Sequence, residues 1–208
     1  MLETINIVKP AEIEKTSMEI IARELHGRTF PELEEPIVKR CIHTSADFDY
    51  ADNLVFSPNA VSEALYAIRN GASIVTDTKM AASGINKKRL SQFGGKVYCF
   101  MDHKDVAEEA KERGCTRAVV CMERGAQVEG PVIFAIGNAP TALIHLYELI
   151  REKKADPVLV IGVPVGFVNV IESKELYLKS GIPHIIAKGR KGGSNIAAAI
   201  CNALLYQA

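Results

Sequence analysis

From residue 73 onward the chain alternates between two kinds of segment, and this alternation restricts its fold more than any other feature of its 208 residues. Short apolar or β-branched runs occur at Ser73–Thr76, Lys96–Met101, Val132–Ile136, Val158–Ile161 and His184–Ala187. Helical patterns separate them at Lys104–Arg113, Thr116–Ala126, Pro140–Lys153, Ile171–Ser180 and Ser194–Tyr206. Strands alternating with helices build βαβ units, whose crossovers cover both faces of a parallel sheet. The spacing predicts an α/β fold with a doubly wound, five-stranded parallel sheet in three layers, α/β/α. Ligands of such sheets sit outside the carboxyl ends of the strands. Function is therefore expected in the loops Asp77–Lys79, Asp102–His103, Gly137–Thr141, Gly162–Phe167 and Lys188–Ser194.

The first third reads as a helical segment. Pro10 suits a first helical turn, and Ile13, Ile20, Ile21 and Leu25 form an apolar stripe that also carries Ser17. A second helix is expected at Glu34–Thr44. A third is expected to start at Ser57-Pro58, with serine as N-cap and proline at the first helical position, and to bury Val61, Ala64, Leu65 and Ile68. No linker or low-complexity run divides the chain, so residues 1–208 are expected to form one domain.

Charge and cysteine usage exclude several classes. Twenty-five basic residues balance twenty-five acidic ones, which argues against a nucleic-acid or anionic-membrane binder but leaves room for a local basic pocket. MLETINIVKP has neither a basic n-region nor a continuous apolar run, so no signal peptide is expected. The apolar stretch Val158–Ile171 is interrupted by Gly162, Pro164, Gly166 and Asn169 and is too short to span a bilayer. Cys41, Cys99, Cys115, Cys121 and Cys201 form no CxxC pair and are odd in number, as expected of reduced cysteines in a cytoplasmic protein. The histidines are scattered, and no metal site is expected within the chain.

Four segments carry chemistry. IGNAPTAL (residues 136–143) follows a strand and opens a helix, as a dinucleotide fingerprint does, but has alanine where the second and third glycines belong. It reads either as a tight strand-to-helix turn or as exposed amides that hold a carboxylate or carbonyl together with Asn138 and Thr141. GRKGGS (residues 189–194) lacks the P-loop spacing. Its glycines let backbone N–H groups approach a ligand, Ser194 can cap the last helix, and Arg190 and Lys191 add positive charge; an anion is favoured, against a plain glycine-rich cap. The loop Val163–Phe167 can line a flat hydrophobic ligand or form a buried crossover, and Glu172 and Ser173 read as caps of the helix that follows. His43 stands three residues after Arg40, so both share a helix face. Histidine is the one side chain type suited without help to proton transfer near neutrality, as a general acid requires, although a lone histidine is also a common structural residue. Asp47 and Asp49 read as capping residues, and Arg117 begins a helix where positive charge opposes the dipole.

In order along the chain, these strings resemble the precorrin-8X methylmutase family, in both its cobalt-free and cobalt-precorrin-8 branches. The resemblance rests on the Ser17 helix, Arg40-Cys41-Ile42-His43, Phe56-Ser57-Pro58, Met80 with Gly84, and Thr116-Arg117. It continues through IGNAPTAL, PVGF with Glu172-Ser173-Lys174, and GRKGGS, and so covers nearly the whole chain. It implies a homodimer of flavodoxin-like subunits with a tetrapyrrole site near the dimer interface. The implied reaction is a 1,5-shift of a methyl group from C-11 to C-12 of the macrocycle, giving cobyrinic or hydrogenobyrinic acid in cobalamin biosynthesis. The methyl group is already on the substrate, so no cofactor is expected. The resemblance makes His43 the proton donor and acceptor. It makes Ser17, Arg40, Arg117, Asn138, Thr141, Gly189, Arg190, Gly192, Gly193 and Ser194 the clamps for a tetrapyrrole polycarboxylate. The stretch TSADFDY (residues 44–50) looks more like the cobalt-dependent branch, in which cobalt arrives inside the substrate. Two other readings are a corrinoid carrier without turnover and an oxidoreductase using the IGNAPTAL turn.

Overall fold

The computed structural model describes residues 9–208; the absence of a signal peptide, read from the first residues, concerns positions largely outside the described ones. After a 3₁₀ turn at Pro10–Glu12 come α1 (Ile13–Glu24), α2 (Glu35–Ser45), α3 (Tyr50–Asn53) and β1 (Leu54–Phe56). Then follow α4 (Ala60–Arg69), β2 (Ser73–Thr76), α5 (Lys79–Gly84), α6 (Lys87–Ser91) and β3 (Val97–Tyr98). The remaining elements alternate regularly: α7 (Lys104–Glu112), α8 (Arg117–Ala126), β4 (Val132–Ile136), α9 (Pro140–Arg151), β5 (Leu159–Gly162), α10 (Val170–Leu178), β6 (His184–Ala187) and α11 (Ser194–Gln207).

The sheet order is β1-β6-β5-β4-β2-β3. Its five parallel strands, taken alone, have the flavodoxin-like order, with the switch point between β2 and β4. The sheet differs from expectation by a sixth strand. β1 lies antiparallel on the outer edge of β6, pairing Leu54 with Ala187 and Phe56 with Ile185. Three residues are too few to show a period, so β1 left no pattern in the sequence.

The same pairing corrects the reading of Ser57. Its N–H donates to the His184 carbonyl at 2.9 Å, and its hydroxyl accepts the His184 N–H at 2.8 Å. Ser57 therefore extends the ladder, and α4 starts later, after Asn59 in the left-handed region at φ 61°. The residues expected inside α4, namely Val61, Ala64, Leu65 and Ile68, are buried.

Side chains alternate across the pleat and divide the core in two. Ile74, Ile133, Ala135, Leu159, Ile161 and Ile185 face α2, α4 and α11, with α1 packed outside them. Val75, Phe134, Ile136, Val160 and Ile186 face α7, α8, α9 and α10. The α1 stripe is only half buried: Ile21 and Leu25 enter the core, whereas Ile13 and Ile20 are 52% and 40% exposed. No helix among the described residues is long and apolar enough to cross a membrane.

On the outer layer, α7, α8 and α9 are tied by charges. The Arg113 guanidinium grips Glu123 bidentately at 2.6 and 2.8 Å, and His145 Nε2 lies 2.8 Å from the same carboxylate. Arg113, with His145, holds the Glu123 carboxyl down at about 2. Because the folded value lies below the ordinary one, the contribution is present above about pH 4.5 and is lost as pH falls toward 2. The stability gap between the wild type and Glu123→Gln, measured by urea unfolding, is expected to be clear near pH 7 and to shrink steadily as pH falls from about 4.5 through about 2.

Candidate active site

Five parallel strands end at one edge of the molecule, and the loops in which function is expected follow them there. At the switch point, Asp77 follows β2 and is buried. Its Oδ1 accepts the Gly137 N–H at 2.8 Å, and Oδ2 accepts those of Asn138 and Ala139 at 2.8 and 2.7 Å. Burial pushes this carboxyl up, and the three amide donors oppose that shift. The amides of IGNAPTAL are thus filled by a carboxylate of the chain itself. This corrects their reading as an anion or dinucleotide site and leaves only the Asn138 side chain and Thr141 exposed there. The sequence marks Asp77 only as the start of the loop Asp77–Lys79 and gives it no role; its signal is an acidic residue directly after the apolar run SIVT. Gly137 is required because a Cβ would lie 2.7 Å from the Ser194 Cα.

The GRKGGS turn is braced on three sides. Gly193 donates to the Val163 carbonyl at 2.8 Å, and Gly166 donates to the Arg190 carbonyl at 3.2 Å, which joins the turn to the loop after β5. At Gly192, φ is 158° and a Cβ would collide with the Val163 carbonyl. The Lys191 ammonium sits 2.6 Å from both Asp47 and Asp49 and holds the Asp47 carboxyl below its usual range. Behind the turn, Lys174 of α10 donates to the carbonyls of Gly189 and Lys191 at 2.8 and 2.9 Å. Lys174 is 1% exposed, and burial pushes its ammonium down to about 8. Ser194 does not cap α11. Gly193 occupies the N-cap position, and the Ser194 hydroxyl lies 2.7 Å from that of Thr78, which accepts the Ala81 N–H and caps α5.

The helical half of the site comes from α1 and α2. The Arg40 guanidinium lies 5.5 Å from the ring centroid of Tyr206 near the end of α11, while Asp47, just past α2, meets Lys191 just before α11. Helices α2 and α11 are therefore antiparallel, and the last turn of α2 brings His43, exposed, to the carboxyl edge of the sheet. Arg40 is paired with Glu14 at 2.8 Å, and Ser17, one turn further along α1, donates to the Ile13 carbonyl. Across the edge, Arg117 opens α8 and donates to the Met101 carbonyl at 3.2 Å, with the Thr116 and Thr141 hydroxyls 3.2 Å apart beside it.

Apolar side chains that follow β2 and β5 are bare at this edge and offer a platform. Met80 is 70% exposed, Phe167 82% and Val168 76%, and the Arg190 guanidinium stands 5.5 Å from the Phe167 ring centroid. A cavity of about 610 Å³ beside Gly71, Lys96, Tyr98 and Arg124 lies toward the amino ends of β2 and β3, away from this platform. The carboxyl edge is thus a broad open face. It combines bare apolar side chains, cations and glycine amides at its margins, and the exposed imidazoles of His43 and His103.

Such a face, on a flavodoxin-like sheet whose switch point is filled by Asp77, defines an α/β protein with an open, mixed apolar and cationic carboxyl edge. Comparison with known proteins agrees. The family model described as precorrin-8X methylmutase matches residues 12–207. A cobalt-precorrin-8 methylmutase of Priestia megaterium is 45% identical over 95% of this chain and 88% of its own length. One from Salmonella typhimurium is 44% identical over 96% of both. A crystal structure of a precorrin-8X methylmutase from Thermus thermophilus superposes with a TM-score of 0.85 at 39% identity, covering 94% of this chain and 96% of that one. The chain belongs to the precorrin-8X methylmutase family, and its role is that of an isomerase in cobalamin biosynthesis.

Two substitutions test the framework of the site. Asp77→Asn leaves buried amides without an acceptor and is expected to cost about 2–3 kcal/mol, read by urea unfolding with an unchanged m-value. Gly192→Ala forces the turn away from Val163 and is expected to cost about 2 kcal/mol in stability. In the same variant KM should rise well before kcat falls.

Proposed function

We propose that this protein moves a methyl group from C-11 to C-12 of the precorrin-8 macrocycle, with His43 giving a proton to the conjugated ring system and taking it back. The observation that carries this reading is the position of His43, exposed in the last turn of α2 at the rim of the apolar platform. Protonation near the migration terminus makes the ring electron-poor and lowers the barrier to the shift. A positioned acid contributes about 10²–10⁴ in rate. The reaction is an isomerisation, so it calls for no methyl donor and no cofactor of the protein. The ring rests on Met80, Phe167 and Val168. Its carboxylate arms reach Arg40 and Ser17 on one side, Arg117, Thr141 and Asn138 on the other, and the turn from Gly189 to Ser194 between them. Glu14, which pairs with Arg40, stands where a substrate carboxylate would compete for the guanidinium.

The cobalt-containing substrate fits better, because the relatives at 45% and 44% identity bear the cobalt-precorrin-8 name. Cobalt is then part of the substrate. The exposed side chains of Ile13, Ile20 and Tyr206 on the α1 and α11 side support a homodimer. A cytoplasmic location accords with the unpaired cysteines.

An anaerobic absorption time course with cobalt-precorrin-8 is expected to show conversion to cobyrinic acid. His43→Ala should slow it by about 10²–10⁴ while cobyrinic acid still binds. Wild-type turnover in that variant would remove the role given to His43. Tight corrinoid binding by the wild type without conversion of either substrate form would make the protein a carrier.

A further inference from the structure

Lys174 is the one fully buried ammonium among the described residues, and none of their carboxylates forms an ion pair with it. Its recorded partners are two carbonyls of a single turn, those of Gly189 and Lys191. Burying an unneutralised cation is costly, so the arrangement calls for a reason beyond packing. Peptide geometry supplies one. In a trans peptide the C=O of one residue and the N–H of the next point in opposite directions, and no described peptide bond is cis. When the Gly189 and Lys191 carbonyls turn inward to Lys174, the N–H groups of Arg190 and Gly192 must turn outward. Neither N–H has an acceptor among the described residues.

We infer that Lys174 is a positioning residue for substrate binding: by holding two carbonyls from behind, it aims the Arg190 and Gly192 amides at a carboxylate arm of the tetrapyrrole. This rests on the reading of the carboxyl edge as the tetrapyrrole site. Lys174 never touches the ligand. It acts through the intervening peptides in two ways. It fixes their orientation, and its charge polarises each C=O so that the N–H on the far side becomes a stronger donor. The Lys191 side chain is drawn the other way, to Asp47 and Asp49. The turn is therefore held by one lysine from inside and by one of its own lysines from outside, while two amides stay free.

The test is a binding cycle with two ligands and two proteins. The ligands are cobyrinic acid and the same corrinoid with its side-chain carboxylates converted to amides; the proteins are the wild type and Lys174→Gln. The wild type is expected to prefer the acid, and Lys174→Gln to lose about tenfold or more of that preference. A general loosening of the fold would instead weaken both ligands alike. Full wild-type preference in Lys174→Gln overturns the role of Lys174 and leaves the site reading intact. No preference for the acid in the wild type overturns the carboxylate clamps themselves, and Lys174 with them. Should Lys174→Gln fail to fold, the amide resonances of Arg190 and Gly192 in the wild type decide the matter. Both are expected to move downfield with cobyrinic acid and not with the amide form, and unmoved resonances overturn the inference.

Discussion

One buried carboxylate determines how the functional edge of this protein is arranged. Asp77 leaves β2 at the switch point and receives three N–H groups from the turn after β4. In a doubly wound sheet this crevice is the usual seat of a ligand. Here it is closed from within, which locks two central strands and the start of α9 together. With the crevice filled, the proposed reaction uses the open face formed by the loops after β5 and β6 and by the last turn of α2. A broad platform suits a flat macrocycle better than a crevice does.

The second constraint is the packing of loops against one another at that face. Val163 receives the Gly193 amide, Arg190 receives the Gly166 amide, and Lys191 reaches Asp47 and Asp49 from the helical half. These contacts join β5, β6 and α2 into one rim, so His43 and the glycine-rich turn keep a fixed relation although more than 140 positions separate Asp47 from Lys191 in the chain. The exposed apolar side chains on the rim, Phe167 and Val168 above all, are costly to leave in water unless something covers them. A tetrapyrrole ring does so in the proposed reaction.

Much of the fold was legible because strand and helix periods alternate cleanly after residue 73. Ser73–Thr76, Val132–Ile136 and His184–Ala187 have the expected limits, and α2, α7, α8 and α10 lie within one or two residues of theirs. The misses have local causes. β1 is too short to carry a period, and Ser57 looks like a cap because Ser-Pro is a good cap in isolation, yet pairing with His184 takes both its amide and its hydroxyl. Half of the α1 stripe stays exposed because that helix lies outside α2 and meets the core along one edge only.

What the sequence by itself determined is the class of fold and the inventory of the site: an alternating α/β chain, glycine turns after its strands, Arg40 with His43, and Arg117 with Thr141. These follow from local propensity and from motif strings, which are properties of neighbouring residues. What only the tertiary structure decided is which of those groups remain available to a ligand. The amides of IGNAPTAL are taken by Asp77 and the Ser194 hydroxyl by Thr78, each partner lying far away in the chain, and Arg40 carries Glu14 as a partner for which a substrate carboxylate must compete. Lys174 shows the same point in reverse, since the sequence gives it no role beyond the Glu172-Ser173-Lys174 string and in the fold it is buried behind the turn. Hydrogen-bond partners separated by 60 to more than 100 residues leave no periodic trace, so only the closed chain reveals which donors are spent and which are free.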